Sequence, residues 1–147
     1  MPKSSNKTDA PWRTAMAEYG GLPLALRVRP NADTPANRKK FPKLMLASHE
    51  LAEVTSNGLP VAKYNDSLAD FDHGMIGAIE QDGAGLVVLV ETFSGKRNYY
   101  AYVADESLAK QRAKSFQEKY PQHSLEFRGG ADPEWALYND YQQRFPW

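Results

Sequence analysis

The sequence predicts an α+β protein: an antiparallel or mixed sheet of about five strands with helices packed on one face, in the order ββ-α-ββ-α-β-α. Three observations predict it. Apolar runs with strand character recur, as in "LPLALRV" and "LVVLVETF". Val61, Tyr64, Leu68, Phe71, Met75 and Ile79 repeat at spacings of three and four, the period of an amphipathic helix. Near the end, Trp135, Tyr138, Tyr141 (or Gln142) and Phe145 repeat at helical spacing too, and rings of that size need a core to hide in.

Taken in order, residues 1–10 are polar and read as a disordered lead to one domain over 11–147. Residues 12–19 form a short segment closed by Gly20 and Gly21. Residues 22–30 alternate near their end, Leu26 and Val28 on one side against Arg27 and Arg29 on the other. That is a half-buried strand, stopped by Pro30. Residues 31–41 read as loop with a basic cluster. Residues 42–54 read as strand through about Ser48, with helix as the alternative.

After the turn at 56–60, the stripe from Val61 to Ile79 implies one helix of about five turns. Gly74 and Gly77 inside it each cost ~1 kcal/mol against alanine, which close packing on a neighbouring backbone would explain. Residues 86–93 and 98–105 form a hairpin across "SGKR", with Tyr100 and Tyr102 on one side and Tyr99 and Ala101 on the other. A helix follows with Ala109, Ala113, Phe116 and Tyr120 on one stripe, ended by Pro121. Residues 123–129 are a short strand with Leu125 and Phe127 inward. For the last helix, Asp132 is the expected N-cap, Pro133 the first helical residue and Glu134 a first-turn acid. Its aromatic stripe predicts docking on the core.

Composition narrows the function classes. At 41% hydrophobic and 24% charged, the 147-residue chain is globular and large enough for a single core. Lysine plus arginine and aspartate plus glutamate each total 18, so the basic excess of a nucleic-acid binder is missing. Cysteine is absent, which excludes thiolate metal sites and fits a reducing compartment. The first residues lack the apolar run of a secretory signal. The longest apolar run, 86–90, is far short of the ~20 residues of a membrane helix. A cytoplasmic protein with no membrane association is expected.

Four stretches together carry a family resemblance: "WRTAMAEYGGLPLALRV", "NGLP" before a helix with an acidic pair, the hairpin "ETFSGKRNYYAYV", and the ending "DPEWALYNDYQQRFP". Over most of residues 12–146 the chain resembles the domain-of-unknown-function family 695. The resemblance implies no agreed activity. Some members of that family are fused to a domain like the bacterial regulators of ribonuclease E activity, which act by binding an enzyme. Where the family tends to show a glutamate–aspartate pair, this chain reads Asp70-Phe71-Asp72.

The residues offer three candidate sites. Asp66, Asp70 and His73, at i, i+4 and i+7 of the expected helix, could hold a divalent metal or act as acid and base, against the plainer reading of a solvated polar face. Arg38, Lys39 and Lys40, with Lys43, could meet phosphate or an acidic protein, or be simply solvated. Tyr99 and Tyr100 point to opposite faces of one strand, so one of them, with Trp147, is a candidate surface anchor for a partner. "SGKR" lacks the spaced glycine of a phosphate loop, and the serines have no nucleophile elbow.

The expected function is therefore non-enzymatic protein binding, with no cofactor. Its most concrete form is an immunity protein that inhibits a bacterial toxin or nuclease by covering it, an analogy of size and type. The alternatives are a metal-dependent hydrolase using Asp66, Asp70 and His73, and a regulator that binds a ribonuclease. A nucleic-acid partner is not expected.

Overall fold

The computed structural model describes residues 12–145. Among these residues lie six strands: β1 (Arg13–Tyr19), β2 (Leu22–Val28), β3 (Lys43–Glu50), β4 (Gly85–Phe93), β5 (Lys96–Val103) and β6 (Leu125–Ala131). They form one sheet, ordered β1-β2-β4-β5-β3-β6, with every neighbouring pair antiparallel. The same residues hold five α-helices, α1 (Pro35–Lys40), α2 (Ala62–Ser67), α3 (Ala69–Glu80), α4 (Glu106–Gln117) and α5 (Ala136–Arg144). None of the described helices is long and apolar enough to cross a membrane. The expected lead over 1–10 lies outside the described residues.

The expected α+β class holds, but the sheet has a sixth strand. Residues 12–19 supply it: β1 pairs with β2 across Gly20 and Gly21, which take the positive φ values (60° and 82°) that a tight turn needs. The β4–β5 hairpin turns at Ser94 and Gly95, both at positive φ, the signature of a type I′ turn. Within residues 42–54, Lys43–Glu50 form a strand, so the strand reading holds there and the helix alternative does not.

The helices are not confined to one face. Side chains alternate along β5, so Tyr100 and Tyr102 join Trp135, Tyr138 and Tyr141 in one core. Tyr99, Ala101 and Val103 join Phe71, Met75, Ile79, Ala109 and Ala113 in another. The sheet is thus a middle layer, with α5 on one side and α3 and α4 on the other. The unbroken apolar run of β4 fits this arrangement, because a strand buried on both faces has no polar side to show. A bulge between Val87 and Leu89 turns both Val88 and Leu89 into the α5-side core.

Three helical expectations need correction. The loop assigned to 31–41 contains α1, because Thr34 accepts a hydrogen bond from the Asn37 N–H and Pro35 starts the helix. The single helix over 61–79 is two, broken at Leu68, whose N–H turns back to the Asn65 and Asp66 carbonyls. The last helix starts at Ala136 rather than at Pro133. Trp135 takes a left-handed conformation (φ 55°), while the Asp132 carboxylate still caps the helix, accepting from the N–H groups of Ala136 (2.9 Å) and Leu137 (3.2 Å). Gly74 does mark close packing, but against the Phe116 ring rather than a backbone.

Candidate functional site

On the α5 side of the sheet, register places Leu26, Glu91, Asn98, Ser48 and Glu126 side by side on five successive strands. The middle of this row is a hydrogen-bonded chain. Ser48 Oγ donates to Asn98 Oδ1 (2.7 Å), and Asn98 Nδ2 donates to Glu91 Oε1 (2.9 Å). The Tyr100 hydroxyl also donates to Oε1 (3.2 Å), and the Tyr141 hydroxyl donates to Oε2 (2.7 Å).

Burial, reinforced by the Glu91 charge, pushes the Tyr100 phenol up to about 12. Burial and then the neighbouring Tyr100 push the Tyr141 phenol up as well. Both rings therefore keep their protons at neutral pH and serve Glu91 as donors.

α5 covers only part of this face. Two clefts open on it, one lined by Glu91 and the other by its hydrogen-bond donor Asn98. One, ≈ 240 Å³, is lined by Tyr19, Leu24, Glu91, Phe93, Tyr141, Arg144 and Phe145. The other, ≈ 180 Å³, is lined by Leu46, Ser48, Lys96, Asn98, Glu126 and Arg128. The first is walled by rings: Tyr19 meets Phe93 edge-on (5.8 Å), and Tyr141 leans on Phe145 (5.4 Å). Tyr19 is 65% exposed, so a large ring stands at the rim in water. Exposed aromatic side chains are enriched at protein interfaces relative to the rest of a surface.

Residues 10–142 match a family described as of unknown function, DUF695. The chain belongs to DUF695. Neither the curated proteins nor the solved structures compared with it contain a match.

The larger clefts of this DUF695 chain have less to offer. One of ≈ 400 Å³ lies on the opposite face of β1 and β2, where its cations are already engaged: Arg27 with Asp72 (2.8 Å), and Arg97 with Thr92 and Asn65. Another, ≈ 450 Å³, is a groove between α3 and α4 lined by Gly74 and Phe116.

The predicted anchors fall differently from expectation. Tyr99 and Tyr100 do take opposite faces, but a helix layer covers each face, so they are 1% and 9% exposed and neither is a surface anchor. The Tyr99 hydroxyl donates to Asp72 (2.7 Å). Trp147 lies outside the described residues. Arg38 is held by both oxygens of Asp33, and its hydrogen bond keeps that carboxyl below the usual range. Lys39 and Lys40 are exposed at the end of α1, where the helix dipole favours cations.

Asp66 lies on α2, whereas Asp70 and His73 lie on α3 beyond the Leu68 break, and all three are exposed. Among the described residues, no group of three or more His, Asp and Glu side chains could hold a metal ion. The fold does join two histidines that the sequence left apart: His49 Nε2 lies 3.1 Å from His123 Nδ1, against the Phe71 ring.

Of the residues in and beside these clefts, the sequence pointed to Tyr100 and the aromatic stripe of α5. Glu91, Asn98 and Ser48 converge through strand register, and the one local signal was a carboxylate ending an otherwise apolar run.

Proposed function

We propose that this DUF695 chain is a non-enzymatic, cytoplasmic protein-binding module, most concretely an immunity protein that inhibits a bacterial toxin by covering it. The partly covered α5 face supports this reading. It combines exposed Tyr19, the Phe93 and Phe145 rings and the charges of Lys96, Glu126 and Arg128 with a polar row whose donors are satisfied within it. A nucleophile or general base needs a pKa brought towards neutrality, whereas both phenols here are driven away from it. The two phenols keep their protons and hold Glu91 in place as donors.

The test is co-expression with the product of an adjacent toxin gene, followed by size-exclusion chromatography and a growth assay. A stoichiometric complex should protect growth, and Tyr19→Ala combined with Lys96→Glu should abolish both effects. Arg38, Lys39 and Lys40 changed together to glutamate should leave them intact. Protection by catalytic amounts of the chain, without a complex, would overturn the reading.

A further inference from the structure

The ring-walled cleft contains a charge without a counter-charge. The Glu91 carboxylate accepts from neutral donors, Asn98, Tyr100 and Tyr141, and among the described residues no cation pairs with it. Glu91 is half-buried and its donors are neutral, so a cation would add a charge-assisted hydrogen bond that these donors do not supply. Around it stand Tyr19, Phe93, Tyr141 and Phe145, whose ring faces carry negative potential.

The chain already shows which group suits this wall. The Arg144 guanidinium stands 5.3 Å from the Tyr141 centroid and 5.1 Å from that of Phe145. It is tied to Asp140 (2.9 Å), half exposed, and does not pair with Glu91.

We propose that this cleft is a receptor for a guanidinium group, an arginine side chain presented by the partner protein. At ≈ 240 Å³ it is below the usual size of small-molecule pockets, about 300–1,000 Å³, and suits a single side chain. A planar guanidinium stacks on rings while donating an N–H to Glu91 Oε2, which among the described residues accepts only from Tyr141, whereas a compact ammonium cannot stack in this way. The source of the arginine rests on the protein-binding reading, but the chemistry of the cleft can be measured without any partner.

The experiment titrates the full chain with N-acetyl-arginine-N-methylamide, following backbone amides by NMR. The citrulline analogue serves as neutral isostere and the lysine analogue as ammonium control. Saturable shifts at Glu91, Phe93 and Tyr141 are expected with arginine, at least fivefold weaker with lysine and absent with citrulline. Glu91→Gln, which still offers the tyrosines an acceptor, should weaken arginine binding at least fivefold. Tyr19→Ala should weaken it measurably, and because Tyr19 is exposed this arm stands even if the Glu91→Gln variant misfolds.

No saturable shift, an equal response to citrulline, or unchanged affinity in the folded variants would overturn the proposal. Equal binding of lysine would overturn the guanidinium assignment. A negative result here with an intact toxin complex would reject the arginine receptor and leave the protein-binding reading standing.

Discussion

The indole of Trp135 lies flat on the ring of Tyr102, with centroids 4.1 Å apart and planes 7° from parallel. The contact belongs to a circuit. Tyr102 donates its hydroxyl to Asp132 (2.7 Å), whose carboxylate also caps α5, and Trp135 Nε1 donates to the Phe41 carbonyl (3.0 Å). The aromatic stripe from Trp135 to Tyr141 thus docks α5 on the sheet, and Trp135 is fully buried.

Trp135→Ala should therefore cost about 3–5 kcal/mol, as large-to-small core changes do. Against the ~5–15 kcal/mol expected of a whole domain, that is a large fraction. Urea denaturation measures it. A midpoint equal to wild type would mean that the stack contributes nothing to holding α5.

The two glycines of α3 should respond with opposite signs. Among the described residues, nothing lies within 4 Å of a Cβ added at Gly77, so Gly77→Ala should gain about 0.5–1 kcal/mol from helix propensity. At Gly74 the added methyl meets the Phe116 ring, itself packed on Phe71 and Tyr120 (5.6 and 5.1 Å). Gly74→Ala should lower the melting temperature, and Phe116→Leu in the same chain should recover part of the loss. A stabilised Gly74→Ala would show that the ring yields freely.

How much of this was legible follows from the range of each interaction. Both hairpin strands, the α4 stripe and the docking of α5 rest on local periodicity and turn chemistry, and those were readable. The second helix layer was readable in principle, because the unbroken "LVVLV" already signals burial on both faces. α1 escaped because Thr34 and Pro35 act as a start signal only when a helix as short as six residues is entertained. The site itself was mostly hidden. Ser48 and Asn98 stand 50 positions apart, and only antiparallel register makes them neighbours of Glu91.

Arg29 is a cation inside the fold, its side chain 3% exposed. It donates through Nε to the Val87 carbonyl (2.9 Å) and through Nη2 to Glu80 (2.8 Å), with the Trp12 ring 4.7 Å from its guanidinium carbon. Glu80 Oε2 also accepts from the Val87 N–H (2.9 Å). Glu80→Ala should cost about 3–5 kcal/mol, because it removes the carboxylate that offsets a buried charge. Replacing Arg29 and Glu80 together, by Met and Leu, should cost less than Glu80→Ala alone. The comparison by chemical denaturation fails if the double variant is the weaker.

The buried histidine pair should make the fold sensitive to acid. His49 is fully buried, and its Nδ1 has no hydrogen-bond partner among the described residues. Burial first, then the nearby His123, lowers its pKa to about 4. Burial lowers His123 as well. The unfolded chain, with histidine near the ordinary 6.5, takes up protons that the folded chain refuses. Stability from His49 is therefore fully present above about pH 6.5, falls as the pH drops from there, and is lost by about pH 4. At 1.36 kcal/mol per pKa unit the loss is roughly 3 kcal/mol. Denaturation midpoints measured from pH 7.5 to 4.5 should hold to about pH 6.5 and then fall for the wild type. His49→Leu, which has no proton to accept there, should flatten the slope. If the slope persists unchanged in His49→Leu, the acid sensitivity does not come from His49.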